Sequence, residues 1–258
     1  MELHQIDPVP LHSLEGPVYR LIGRPAINLA CTAQEVEGRS TVNADFFHEV
    51  REALREKHGR DLKILGWIGA AGDQSPHLMF RQRAEDRMRE LCGLTRLQEI
   101  ARRIASTFDD VAAVIAQDIR TDVPLVHRVQ QIELPARIVT DAEYAVAKEV
   151  RERIDAKKNR TKSDYWSWYL YGFVAERYLA QQEGGWKTFE MELHVLRLGD
   201  VAIATNPFEL YVDYGVQIQS RSPAEQTFLI QLASPRDFGY YVPTPRALST
   251  SRDKGGYF

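Results

Sequence analysis

LKILGWIGAAGDQSPH, residues 62–77, is the stretch on which the fold turns. Its first seven residues form an apolar run of the length of a buried strand. GAAGDQS then makes a short glycine-bearing turn. Ser75 followed by Pro76 is the pattern of an N-cap with proline at the first helical position, which predicts a helix from Pro76. That arrangement presents Ser75 at the end of a strand and the positive end of a helix, where backbone N–H groups can steady an oxyanion. On these residues alone Ser75 is first a helix cap and Asp73 a turn former, since serine is among the commonest N-caps; a chemical role is the second reading.

Working outward, PAINLACT at 25–32 reads as another buried strand. Asn43 is placed to cap a helix running to Lys57, with Phe46, Phe47, Val50 and Leu54 at helical spacing before Gly59. Downstream, Thr95 opens a longer helix whose Ile100, Ile104, Phe108, Val111 and Ile115 form one apolar stripe. Residues 122–135 partly alternate, as a half-exposed strand does. Thr140–Ala156 and Ser163–Gln181 read as two helices joined by KKNRTK and ended by Gly184 and Gly185, a helical-hairpin insert at about 140–182. Strands follow at 188–199 and 200–205, with a tight turn at Gly199-Asp200, and again at 227–234. Between them Asn206 to Glu209 fits a capping box and predicts a helix start. The last 24 residues read as irregular chain rich in Tyr, Pro and Gly, suited to the wall of a site. The fold class is therefore α/β, a mixed, layered sheet with helices and a helical-hairpin insert.

Composition narrows the function classes. The chain has 258 residues with 33 Lys and Arg against 36 Asp and Glu, a formal charge of −3, so no broad basic surface for nucleic acid is expected. Apolar residues make up 44%, as in ordinary globular domains. The longest apolar-looking run, Ile64–Gly72, is far shorter than the ~20 residues of a membrane span. The opening MELHQIDPVPLHSLEG has acids where a signal peptide has Lys or Arg, which gives a cytoplasmic expectation. Cys31 and Cys92 are too few and too distant for a disulfide framework and read as small buried apolar residues.

Specific motifs fail by inspection. The seven histidines form no HxH and no HExxH. Gly69-Ala70-Ala71-Gly72 is followed by Asp73-Gln74, where a phosphate-binding loop needs Gly-Lys-Ser/Thr. Ser75 lacks the flanking glycines of a nucleophile elbow, with Asp73 and His77 in their places.

GAAGDQSPH at 69–77, NPFELYVDYG at 206–215, and GYYVPT with GGYF near the end are spaced and ordered as in the neutral ceramidase family. AINLACTAQEVEG and ADFFHEVREAL extend the resemblance, especially to short bacterial ceramidase-like members. Gly-Asp-x-Ser-Pro alone arises by chance in about 0.3% of chains this long, and three matches in order far less often. The resemblance covers nearly this whole chain but only the latter part of a family catalytic domain, a layered mixed α/β structure. It implies amide hydrolysis at a Zn2+ ion held by two upstream histidines, a glutamate and a tyrosine; here these last two are Glu209 and Tyr241. It further implies catalytic roles for Ser75, Asp73 and Tyr257, and substrate contact by His77 and Tyr240.

Two departures stand out. The region that brings the histidine ligands has no counterpart, since His4 and His12 stand in no matching context, and His77 replaces the family's frequent Asn after Ser-Pro. A catalytic zinc needs three protein ligands, and the carried-over residues supply two. The expected partner is a lipid or small N-acyl amide substrate, and the missing ligands are expected from His4, His12, His77 or a second chain. Two alternatives stand beside the amidase: a non-catalytic remnant that binds an acyl compound, and a metal-free serine hydrolase using Ser75 with His127 or His194. Family members are often exported, against the cytoplasmic expectation.

Overall fold

In the computed structural model, which describes residues 4–5, 25–120, 122–234 and 239–250, the apolar runs at 25–32 and 62–68 become two short parallel strands. These are β2 (Ala26–Leu29) and β3 (Leu65–Ile68), in register from Ala26 opposite Leu65 to Leu29 opposite Ile68. β3 starts three residues later than the apolar run. The carbonyls of Leu62 and Ile64 instead accept from the guanidinium groups of Arg55 (3.1 Å) and Arg51 (3.5 Å). Both arginines lie on α1 (Phe46–His58), whose apolar face supplies Phe46, Phe47, Val50 and Leu54 to the core.

Asp45 caps α1, correcting the expectation of Asn43. Its Oδ1 accepts from Phe46 N at 2.8 Å and its Oδ2 from Val36 N at 2.9 Å, while Asn43 accepts from the Asp45 N–H. The core is completed by Ile64 and by Ala101 and Ala105 of α3 (Arg96–Ile115). Thr95 and Gln98 form the capping box of α3, as the position of Thr95 predicts. Burying side chains such as Phe46 and Leu54 completely contributes about 1.5–3 kcal/mol each.

The helix predicted from Pro76 does not form. The Pro76 carbonyl, an acceptor for the first helical turn, is taken by Arg96 Nη2 at 2.5 Å. The chain runs on irregularly until Arg81, in the left-handed region at φ 55°, precedes α2 (Gln82–Cys92).

A five-stranded sheet has the order β1-β4-β5-β6-β8, comprising β1 (His4–Gln5), β4 (Leu125–Pro135), β5 (Thr188–Leu198), β6 (Val201–Thr205) and β8 (Gln226–Ile230). β5 and β6 are antiparallel around Gly199, whose φ of 61° suits glycine in a tight turn. β6 and β8 are parallel, from Val201 opposite Gln226 to Thr205 opposite Ile230. The segment between them holds β7 (Glu209–Leu210) and α6 (Val212–Arg221). The capping box predicted at Asn206–Glu209 is absent, because Asn206 Oδ1 accepts from Phe208 N at 2.9 Å in a local turn and Glu209 enters a strand. The stretch read as irregular tail contains β9 (Tyr241–Val242) and α7 (Pro245–Thr250).

Contacts divide the chain into two compact units, one of residues up to 130 with those from 192 onward, the other of 131–191. The second holds the predicted hairpin: α4 (Asp141–Asp155) and α5 (Lys162–Gln182), capped through Thr140–Glu143 and Thr161–Asp164. Tyr144 stacks on Tyr178 with centroids 4.2 Å apart, and Arg151 lies over the Trp168 ring. The cysteines are free, Cys31 half-buried and Cys92 exposed, so only Cys31 approaches the buried role expected of both. No helix among the described residues is long and apolar enough to cross a membrane.

Candidate functional site

The turn after β3 is fixed by hydrogen bonds from residues distant in sequence. Asn28 reaches across to β8, donating to Leu229 O (2.9 Å) and accepting from Leu229 N (3.3 Å). Gly69 N donates to Leu29 O, and Ala71 N donates to the buried Gln231 side chain at 3.2 Å. Gly72 N then donates to Leu210 O at 2.8 Å. A Cβ on Gly72 would stand 2.4 Å from the Glu209 carbonyl oxygen, so this approach requires glycine. Asp73 Oδ1 accepts from Val212 N at 2.7 Å, capping α6 from another part of the chain.

β7 and β9 pair in parallel with Glu209 opposite Tyr241. The Tyr241 hydroxyl hydrogen-bonds the Glu209 carboxyl. Burial of Glu209 pushes its pKa above the ordinary carboxylate range, and the bond from Tyr241 partly offsets this. Glu209, Tyr241 and the Gly72–Asp73 turn are thus brought together. Tyr240, largely exposed, lends its backbone carbonyl to Glu209 N at 3.3 Å. Tyr257 and His12 lie outside the described residues.

Ser75 is exposed, not at a helix N-terminus as its sequence predicts. Its Oγ accepts from His77 N at 3.2 Å and lies 3.1 Å from His77 Nδ1. The other ring nitrogen of His77, Nε2, is 2.9 Å from Gln34 O and 3.9 Å from a Glu37 carboxylate oxygen. Arg96, paired with Glu35 at 3.3 Å, holds the intervening Pro76 carbonyl. His127 and His194 face one another instead of Ser75, with Nε2 and Nδ1 2.9 Å apart, and His194 Nε2 is 2.7 Å from Glu192. This corrects the expectation that either partners Ser75. Gln34, Arg96 and Gln231 escaped sequence reasoning, since each acts through a long-range bond that no local spacing signals.

Among the described residues no group of three His, Cys, Asp or Glu stands together to hold a metal ion. Glu209 and Tyr241 offer two oxygen donors.

The fold is that of a mixed α/β protein carrying a helical hairpin. Solved structures similar to it include the neutral ceramidase from Pseudomonas aeruginosa, at 14% identity and TM-score 0.49, covering 85% of this chain and 38% of that one. Another is a ceramidase complexed with C2, at 12% identity and TM-score 0.48, covering 85% of this chain and 40% of that one. The chain thus spans about two fifths of the length of the solved structures it matches. No family model matches the sequence, and no curated protein does.

Proposed function

We propose that this chain is the latter part of an amidohydrolase of ceramidase type that cleaves the N-acyl amide of ceramide or a related lipid amide with the aid of zinc. The observation that carries the proposal is the pairing of Glu209 with Tyr241 beside the turn that leads to Ser75. These are the residues that the sequence resemblance assigns as oxygen ligands, and strand register, not sequence proximity, joins them. Two oxygens fall short of the three protein ligands of a catalytic zinc, so the histidine donors come from outside the described residues or from a second chain.

When bound, zinc lowers the pKa of a coordinated water toward ~7 and polarises the amide carbonyl. The rest is work for the chain itself. Asp73 locks the turn to α6, Gly72 lets that turn lie against the backbone of Glu209, and Ser75 is left accessible to a substrate carbonyl. Tyr241 orients the Glu209 carboxyl, whose raised pKa makes ligand binding and proton loss linked events.

The test is the zinc content of the purified, metal-replete chain beside that of Glu209→Ala. The expected result is about one zinc per chain, lost in the variant. N-acyl amide hydrolysis, where the donor set is complete, is expected to disappear in Ser75→Ala. Zinc bound equally by both proteins, or by neither, overturns the metal assignment.

A further inference from the structure

We infer that the neck of the helical hairpin carries a binding site for an organic carboxylate, in which Arg177 supplies the cation and the Trp186 ring a wall for the ligand's apolar part. The site lies wholly in the unit of residues 131–191 and shares no residue with the proposed zinc site.

Arg177 stands on α5 as a cation without a counter-ion. A guanidinium offers five N–H bonds, and among the described residues Arg177 uses one of them, from Nη2 to the Arg137 carbonyl oxygen. Its Nε is buried and makes no hydrogen bond. Burial first, and then the nearby Arg137 guanidinium, lower the pKa of Arg177. The charge that acts on it is therefore a like charge, and a partly desolvated cation in that position calls for an anion.

The carboxylates at the start of α4 are engaged elsewhere. Glu143 pairs with Arg137 and accepts from Thr140 N at 2.8 Å, and Asp141 accepts from the Tyr178 hydroxyl at 2.7 Å. Since Glu143 neutralises Arg137, one positive charge is left over, that of Arg177. One uncompensated charge suits a monoanion.

The surroundings favour an anion with an apolar body over a bare ion. The Arg177 guanidinium lies over the Trp186 ring, 5.8 Å from its centroid, and Trp186 is itself 56% exposed. The Trp186 backbone is held at φ 55°, in the left-handed region where a bulky residue is strained. Strain of this kind gathers where a side chain is held for a ligand. Phe173, one helical turn before Arg177 on the same face of α5, is also exposed. A carboxylate matches the planar fork of a guanidinium through two parallel N–H bonds, and its chain can then rest against Trp186.

The test titrates hexanoate, its neutral isostere hexanamide, acetate and inorganic phosphate into the full chain by calorimetry. Hexanoate is expected to saturate one site, with acetate weaker and hexanamide weaker by about tenfold or more. Arg177→Gln is expected to weaken hexanoate binding by about tenfold or more, and Arg177→Lys by less. Trp186→Gly is expected to weaken hexanoate and leave acetate unchanged. On the wild-type chain, saturating hexanoate is expected to slow phenylglyoxal modification of Arg177, located by mass spectrometry, and hexanamide is not. That protection does not depend on a variant's folding, and none of these readouts involves zinc or amide hydrolysis. Absence of a saturable hexanoate site, equal binding of hexanamide, an affinity unchanged in Arg177→Gln, or phosphate bound more tightly than hexanoate overturns the inference.

Discussion

Glu99 lies on the buried side of α3 and accepts from Arg102 at 2.8 and 3.0 Å and from Arg103 at 2.7 Å. Arg103 also reaches Glu85 of α2 at 2.7 Å, tying the two helices. Arg102 first, then Arg103, hold the Glu99 carboxyl down to about 2, against an ordinary 4.5. The unfolded chain therefore takes up this proton at higher pH than the folded one. The stability due to Glu99 is complete above about 4.5 and is lost as the pH falls from there to about 2. Urea midpoints across that window are expected to fall in the wild type and to fall less steeply in Glu99→Gln. An equal slope in both proteins would remove Glu99 as the cause. Single residues such as these were only partly legible in sequence. Glu209, Tyr241 and Ser75 could be named from motif order, but the bond partners Gln34 and Arg96 act across loops, where local periodicity is silent.

At the scale of elements, the parts that read correctly are those whose signals are local. α3 and α4 begin at the threonines that the sequence marks, and β5 and β6 turn at Gly199, while α5, expected from Ser163, is capped two residues earlier by Thr161. The two helix starts that failed, at Pro76 and at Asn206, failed because tertiary bonds took the groups a helix would use. Arg96 claims the Pro76 carbonyl, and β9 recruits Glu209 into a strand. The junction of the β3 turn with β7 is the element contact on which the site depends. Gly72→Ala drives a methyl group into the Glu209 carbonyl, and neither backbone can yield without breaking the Gly72–Leu210 bond. Overpacking of this kind costs about 1–3 kcal/mol. The variant is expected to unfold at lower urea by that amount and to bind less zinc than the wild type. A variant of unchanged midpoint and zinc content would show that the turn does not need its close seat on β7.

For the whole molecule, the hairpin unit is an addition to a chain that already has its core. The buried cluster of Phe46, Phe47, Val50, Leu54, Ile64, Ala101 and Ala105 lies within the unit of residues up to 130 and from 192 onward. Asp73 bonds Val212, His77 bonds Gln34 and Glu209 pairs with Tyr241, all within the unit that holds the core. The neck of the hairpin is closed by a bond from Ala136 N to Lys187 O at 2.9 Å, so the two chain ends there are already neighbours. A two-residue Asn-Gly turn spans such paired ends. Replacing residues 137–186 by that turn is therefore expected to leave a chain that unfolds cooperatively in urea. The hairpin was recognisable in sequence because its helices carry their own caps, and the same self-sufficiency makes it removable. A broad, non-cooperative transition in the shortened chain would show that the rest of the protein needs the hairpin, whose own packing of Tyr144 on Tyr178 and Arg151 on Trp168 is internal to it.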